Sequence, residues 1–267
     1  MLWRRWTDDR FCFRYTWEFV SSVARGGVAL PENQYTPVWE PFILTYEGQI
    51  VFYYSDQRDP NDSLGQKMVH QVSSDLVNWG PVVDDIRYDN ATWRPGMPIV
   101  SHLPDDNWIM TYEFYGAVEE DFAVYYRISD SPLTFDSKPG ISLNAGGTIP
   151  VGSPYNAWTP AGGPQGTIVV SDGNHRELYL NKKLGAADAW TKIPTPAGTS
   201  YTRSLLVLPN DPSRIMIIGG GVLGGEDNSV QVNTIDLNGK RGYNKKKYGD
   251  YKKKSCKSGG YGNGNST

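Results

Sequence analysis

Short apolar runs broken by Gly, Pro, Asn and Asp recur along the chain, and no long segment of helical period separates them. Such a pattern predicts strands joined by tight turns. One set covers Val38 to Leu44, Ile50 to Tyr54 and Lys67 to Gln71 and closes on Trp79. A second covers Met97 to His102, Trp108 to Glu113 and Phe122 to Ile128 and closes on Phe135. A third spans Trp158 to Ser171, Glu177 to Asn181 and Trp190 to Ile193, and a fourth Ser204 to Leu208, Arg214 to Gly219 and Ser229 to Leu237. The aromatics Trp17, Trp79, Phe135 and Trp190 follow one another at steps of 62, 56 and 55 residues. About four strands per unit at a fixed period is the sequence form of a propeller blade.

The stretches ending at Trp79 and Phe135 keep the Ser and Asp of an Asp-box turn, in which a carboxylate accepts backbone N–H groups while the aromatic plugs the gap between sheets. The fold expected is all-β, a propeller with blades near 37–83, 94–137, 153–194 and 201–238. Residues 1–23 read as the end of an earlier blade, and the 1–238 propeller as incomplete at its N-terminal side.

Charge divides the chain. Residues 240–267 hold nine Lys/Arg against Asp250 alone, a net of +8, so the overall −3 leaves −11 on residues 1–239. A body this acidic argues against nucleic acid as a partner. The Gly/Lys/Tyr-rich segment 239–267 has little to bury and reads as a disordered tail. Two cysteines, Cys12 and Cys256, support neither a disulfide framework nor a zinc site, and no metal or cofactor is expected. No apolar run approaches the roughly 18 residues of a membrane helix, so no membrane partner is expected. The first residues, Met1-Leu2-Trp3-Arg4-Arg5-Trp6, do not read as a signal peptide.

Candidate chemistry lies in two glutamates set within apolar strands. Glu40 stands in Val38-Trp39-Glu40-Pro41-Phe42, and Glu113 in Met110-Thr111-Tyr112-Glu113-Phe114. A lone strand glutamate is usually paired or turned to solvent; two in consecutive blades, each flanked by aromatics, point to function. Glycoside hydrolysis needs such a pair, because one carboxyl protonates the departing oxygen while the other meets positive charge at the anomeric carbon. Trp39, Trp93, Tyr112, Trp158 and Tyr201 are candidate stacking faces for sugar rings, and Arg58, Arg94 and Arg203 candidate partners for hydroxyls or for a carboxylate. For Arg58, pairing with Asp56 and Asp59 to pin a loop fits equally well.

At these residues the chain resembles the fungal exo-1,5-α-L-arabinanases of glycoside hydrolase family 93. The likeness runs from about Thr16 to Leu237 and is carried by Trp17-Glu18-Phe19-Val20-Ser21-Ser22, Val38-Trp39-Glu40-Pro41-Phe42, Tyr53-Tyr54-Ser55-Asp56-Gln57-Arg58-Asp59, Asn78-Trp79-Gly80-Pro81-Val82-Val83, Arg94-Pro95-Gly96-Met97-Pro98 and Met110-Thr111-Tyr112-Glu113.

The resemblance implies a six-bladed propeller of the sialidase type, secreted and monomeric when full length, that releases arabinobiose from the non-reducing end of linear α-1,5-arabinan with retention. Glu40 and Glu113 match its two catalytic glutamates, and analogy with sialidases makes Glu40 the acid/base and Glu113 the nucleophile. Relative to the family, the first blade or two are absent and the basic tail is foreign. A carbohydrate-binding remnant without turnover is one alternative. A sialidase-like exo-glycosidase, built on Arg58, Arg94, Arg203 and Tyr201, is another. A protein-interaction propeller of the WD or kelch kind fits poorly, since neither signature recurs.

Overall fold

The computed structural model describes residues 2–7, 14–19, 38–58 and 65–239. The tail from residue 240 and the loop residues 59–64, Asp59 among them, lie outside the described residues. Strands β1 (Leu2–Thr7) and β2 (Arg14–Phe19) pair antiparallel, Leu2 opposite Phe19. Four further sheets follow in chain order. The first holds β3 (Val38–Tyr46), β4 (Gln49–Asp56), β5 (Lys67–Ser73) and β6 (Val83–Ile86). The second holds β7 (Arg94–His102), β8 (Trp108–Tyr115), β9 (Ala123–Ser129) and β10 (Ile141–Ser142). The third holds β11 (Tyr155–Thr159), β12 (Thr167–Ser171), β13 (Leu178–Asn181) and β14 (Trp190–Ile193), and the fourth β15 (Arg203–Leu208), β16 (Asp211–Gly219) and β17 (Gln231–Asp236).

Within each sheet sequential strands are neighbours and antiparallel, which is the meander of a propeller blade. The first strands β3, β7, β11 and β15 contact one another in succession, as strands lining a central axis do. The fold is an all-β propeller of which four blades are visible. The fourth has three strands among the described residues.

Alternation along the strands explains how the blades stack. Val51 and Tyr53 of β4 turn toward the second blade and meet Val100, Met110, Tyr112 and Phe114 in one buried cluster. Val124 and Tyr126 of β9 meet Ile168, Val170 and Tyr179 of the third blade, and Val169, Leu178 and Leu180 meet Leu205, Ile215 and Ile217 of the fourth. Each fully buried side chain of this size contributes about 1.5–3 kcal/mol.

The predicted aromatic plugs occupy two of these seams. Phe135 is buried in the first cluster, and Trp190 lies edge-on to Tyr126 at 5.4 Å in the second. Phe135 does not begin a strand, however; residues Phe135–Ser137 form a 3-10 turn, and the fourth strand is β10, six residues further on.

The two turns differ in chemistry. Asp75 Oδ1 accepts the amides of Val77 and Asn78 at 2.9 and 2.7 Å, and these bonds hold its carboxyl well below the usual carboxylate range. In the second turn the equivalent acceptor is Ser131 Oγ, bonded by the Leu133 amide at 3.2 Å, while Asp130 pairs with Lys138.

Candidate active site

Glu40 owes its position to a break in the strand. The β3–β4 register shifts between Trp39 and Phe42, and Glu40 takes a left-handed backbone, φ 60°. Pro41 has no amide to give to the ladder, so the bulge falls where a hydrogen bond would be lost anyway. The same device recurs in the next two blades: Met97, before Pro98, has φ 59°, and Ser153, before Pro154, has φ 46°. These left-handed residues stand 57 and 56 positions apart, a periodicity as regular as that of the aromatics.

Each glutamate is held by the left-handed residue before proline in the blade that follows it. Glu40 Oε2 accepts Ser55 Oγ–H at 2.8 Å and the Met97 amide at 2.8 Å. Glu113 Oε2 accepts the Ser153 amide at 2.7 Å. Gly96 is the Cα partner of Glu113 across β7–β8, and a Cβ there would stand 3.0 Å from Glu40 Oε2 and 2.7 Å from Gln66 Nε2. Glycine is needed at 96 because the Glu40 and Gln66 side chains lie directly on its backbone.

Electrostatics ties these groups into one site. Burial pushes the Glu113 carboxyl up to about 7; the Ser153 amide opposes this, the Glu40 charge adds to it and the Arg94 guanidinium opposes it. The Tyr201 hydroxyl is raised by burial first and then by Glu40 and Glu113, against Arg94. Glu40, Glu113, Arg94 and Tyr201, from the first, second and fourth blades, therefore feel one another's charge. Tyr201 is 42% exposed, leaving its ring open to a ligand.

Arg94 and Trp39 meet through a residue that the sequence reading did not single out. The guanidinium carbon of Arg94 stands 6.0 Å from the Trp39 ring centroid. Gln66 Oε1 accepts Trp39 Nε1–H at 3.1 Å and Arg94 Nη2–H at 3.4 Å, while Gln66 Nε2 donates to the Pro95 carbonyl at 2.7 Å. Arg94 Nε is buried without a hydrogen-bond partner among the described residues. No local signal marks Gln66; the recurring x-Pro steps at 40, 97 and 153 could have pointed to Met97 and Ser153.

Other predicted site residues lie elsewhere. Tyr112 is fully buried between the first and second blades, its hydroxyl 3.2 Å from that of Tyr88, so it offers no face to a sugar. Adjacent strand residues point to opposite faces, and with Glu113 on one face Tyr112 takes the other. Arg203 is also fully buried. Its Nε donates to the Asp172 carbonyl at 2.9 Å and its Nη2 to the Glu177 carbonyl at 2.8 Å and to Asp172 Oδ1 at 3.3 Å, so it joins blades and meets no substrate.

Trp158 stands five residues beyond Ser153, about 16 Å along an extended chain. It packs against the second interblade cluster and donates Nε1–H to the Gln165 carbonyl. Trp93 packs edge-on to Tyr88 and Phe114, both at 5.3 Å, and so anchors the residue before Arg94. Arg58 forms a 2.6 Å ion pair with Asp56 and lies 5.9 Å from the Tyr54 ring centroid, the loop-pinning arrangement.

Among the described residues no group of three or more His, Cys, Asp or Glu is placed to hold a metal. Among the described residues no helix is long and apolar enough to cross a membrane.

No family model matches the chain, and no curated protein matches it. Solved structures do. The α-L-arabinanase of Penicillium chrysogenum, complexed with arabinobiose, is 48% identical with a TM-score of 0.78, over 84% of this chain and 64% of that one. The α-L-arabinofuranosidase of Fusarium graminearum in complex with an iminosugar inhibitor is 48% identical with a TM-score of 0.79, over 84% and 65%. The family 93 α-L-arabinofuranosidase of Fusarium graminearum with arabinobiose is 47% identical with a TM-score of 0.78, again over 84% and 65%. A family 43 β-1,3-galactosidase, 13% identical with a TM-score of 0.51, shares the fold alone. The chain is thus a homologue of the α-L-arabinanases and α-L-arabinofuranosidases of glycoside hydrolase family 93, of whose solved chains it spans about 65%.

Proposed function

We propose that this chain carries the catalytic pair of an exo-acting glycoside hydrolase that releases arabinobiose from the non-reducing end of linear α-1,5-L-arabinan with retention. The observation supporting this is the pairing of Glu40 and Glu113 from adjacent blades, each fixed by the next blade's backbone and each within electrostatic reach of the other. Homologues solved with arabinobiose supply the substrate class. Secretion, a polysaccharide partner and a monomeric full-length enzyme accompany the same reading.

The environments favour the reverse of the order that sialidase analogy implied. A carboxyl near 7 is still largely protonated in mildly acidic solution, which suits Glu113 as the acid that gives its proton to the departing glycosidic oxygen. Glu40 accepts two hydrogen bonds on Oε2, leaving Oε1 to attack the anomeric carbon as that C–O bond breaks. Water, deprotonated by Glu113, then cleaves the Glu40 ester and restores both carboxyls.

The sialidase alternative needs a cluster of three arginines. Arg203 is buried in an ion pair and Arg58 is engaged by Asp56, which leaves Arg94 as the one of the three beside the glutamates and weighs against it.

The test is arabinobiose release from linear arabinan by the chain, by Glu113→Gln and by Glu40→Gly with added azide. Both variants should lose at least 1000-fold in rate, and azide should restore turnover to Glu40→Gly as an inverted glycosyl azide. Azide rescue confined to a Glu113→Gly variant, as a retained product, would return the roles to the sialidase order. A Glu113→Gln protein as active as wild type would end the hydrolase reading.

A further inference from the structure

Next to Glu113 stands an aromatic pair outside the interblade cores. Tyr115 lies two residues beyond Glu113 on β8, so both side chains project from the same face of the blade, the face toward Ser153 of the third. The Tyr115 ring faces that of Phe122, centroids 5.0 Å apart and planes at 41°. Neither ring belongs to any of the three interblade clusters, and Phe122 is 37% exposed. Among the described residues, core packing thus does not account for two large rings placed together at the end of the strand that carries a catalytic glutamate.

Phe122 is held there against its backbone preference. Its φ is 63°, a region that a bulky residue seldom adopts, and such strain persists where the surroundings over-determine it. The surroundings here are specific. The Gly152 amide donates to the Phe122 carbonyl at 2.9 Å, the next residue, Ala123, bridges to Val151, and Ser153 donates to Glu113. One short segment, Val151 to Ser153, therefore fixes the acid and the aromatic pair together.

We propose that Tyr115 and Phe122 form a sugar-binding platform, a subsite for an arabinofuranose unit beyond those cleaved off as the disaccharide. The inference rests on the arabinan reading of the same site. An aromatic pair presents an apolar surface at little conformational cost, and the C–H face of a furanose ring is its complement. The platform would add affinity for longer chains while contributing little to the disaccharide itself.

Isothermal titration in a Glu113→Gln background, which keeps oligosaccharides intact, tests this with arabinobiose and arabinotetraose. Phe122→Asn removes the ring and retains a residue that tolerates the left-handed backbone; Tyr115→Leu tests the partner without touching that backbone. Each variant should raise the Kd of arabinotetraose about tenfold and move that of arabinobiose less than twofold. Unchanged tetraose binding in both folded variants, or equal loss for both ligands, overturns the platform alone. A parent protein that binds neither ligand overturns the arabinan reading and the platform with it.

Discussion

Glu113→Gln should stabilise the protein, by an amount that grows as pH rises from about 4.5 to about 7 and is complete above that. In the folded chain burial lifts the Glu113 carboxyl from 4.5 to about 7. A carboxyl raised on folding contributes stability that is complete below its unfolded value, and that stability is lost as pH climbs through the folded value. Between pH 4.5 and 7 the wild type therefore weakens relative to a variant that carries no charge. At about 1.4 kcal/mol per pH unit the full effect is roughly 3.5 kcal/mol. For a domain of this size 1 kcal/mol moves Tm by about 2–4 °C, so the variant should melt roughly 7–14 °C higher than wild type at pH 8. At pH 4 the two should melt together. Glutamine keeps an oxygen for the Ser153 amide, so the hydrogen bond survives the change. Differential scanning calorimetry of both proteins from pH 4 to 8 reads the double difference directly, and other titrating groups cancel. Melting curves that run parallel across that range would refute the raised carboxyl, and with it the argument that Glu113 is the acid.

Two further outcomes follow from the geometry. Arg203→Met leaves the buried Asp172 carboxylate without its cation, and loss of one partner from a buried pair costs about 3–5 kcal/mol; urea unfolding should show that fall, and a variant of undiminished stability but raised KM would restore Arg203 to the substrate site. Gln66→Leu frees Trp39 Nε1 and the Pro95 carbonyl, each losing a bond worth about 1 kcal/mol, and should raise KM for linear arabinan about tenfold through lost alignment of Trp39 and Arg94; steady-state kinetics measure it, and an unchanged KM would deny Gln66 any positioning role.

The blades were legible because the same order of short strands recurs and the first three close on an aromatic, Trp79, Phe135 or Trp190, and such a repeat survives variation at single positions. Side-chain direction was less so. Tyr112 and Glu113 are neighbours on an unbroken strand, and the two-residue period forbids both from entering one pocket. Trp39 and Glu40 are also neighbours, yet Trp39 bonds Gln66 and Glu40 lies with Gln66 over Gly96, because the bulge between Trp39 and Phe42 suspends that period. Without the bulge in view, the two pairs look alike in sequence.

Arg203 misled for a different reason: an arginine at the start of a first strand suits a ligand or an interblade ion pair equally, and only the burial of Asp172 decides. Gln66 escaped notice because its role depends on two residues 27 and 28 positions away.

The anchoring pattern makes the site a property of blade packing more than of any one strand. Glu40 is fixed by Met97 of the second blade, Glu113 by Ser153 at the entry to the third, and Tyr201 comes from the entry to the fourth. A small rotation between blades would therefore separate the carboxylates even with every strand intact. The buried cluster around Asp172 opposes such a rotation. Its carboxylate accepts the Val151 amide at 2.9 Å, the His175 ring and Arg203, and so joins the segment that holds Glu113 to the strand that follows Tyr201. Arg203, though fully buried, thereby sets where the glutamate of one blade and the tyrosine of another can meet.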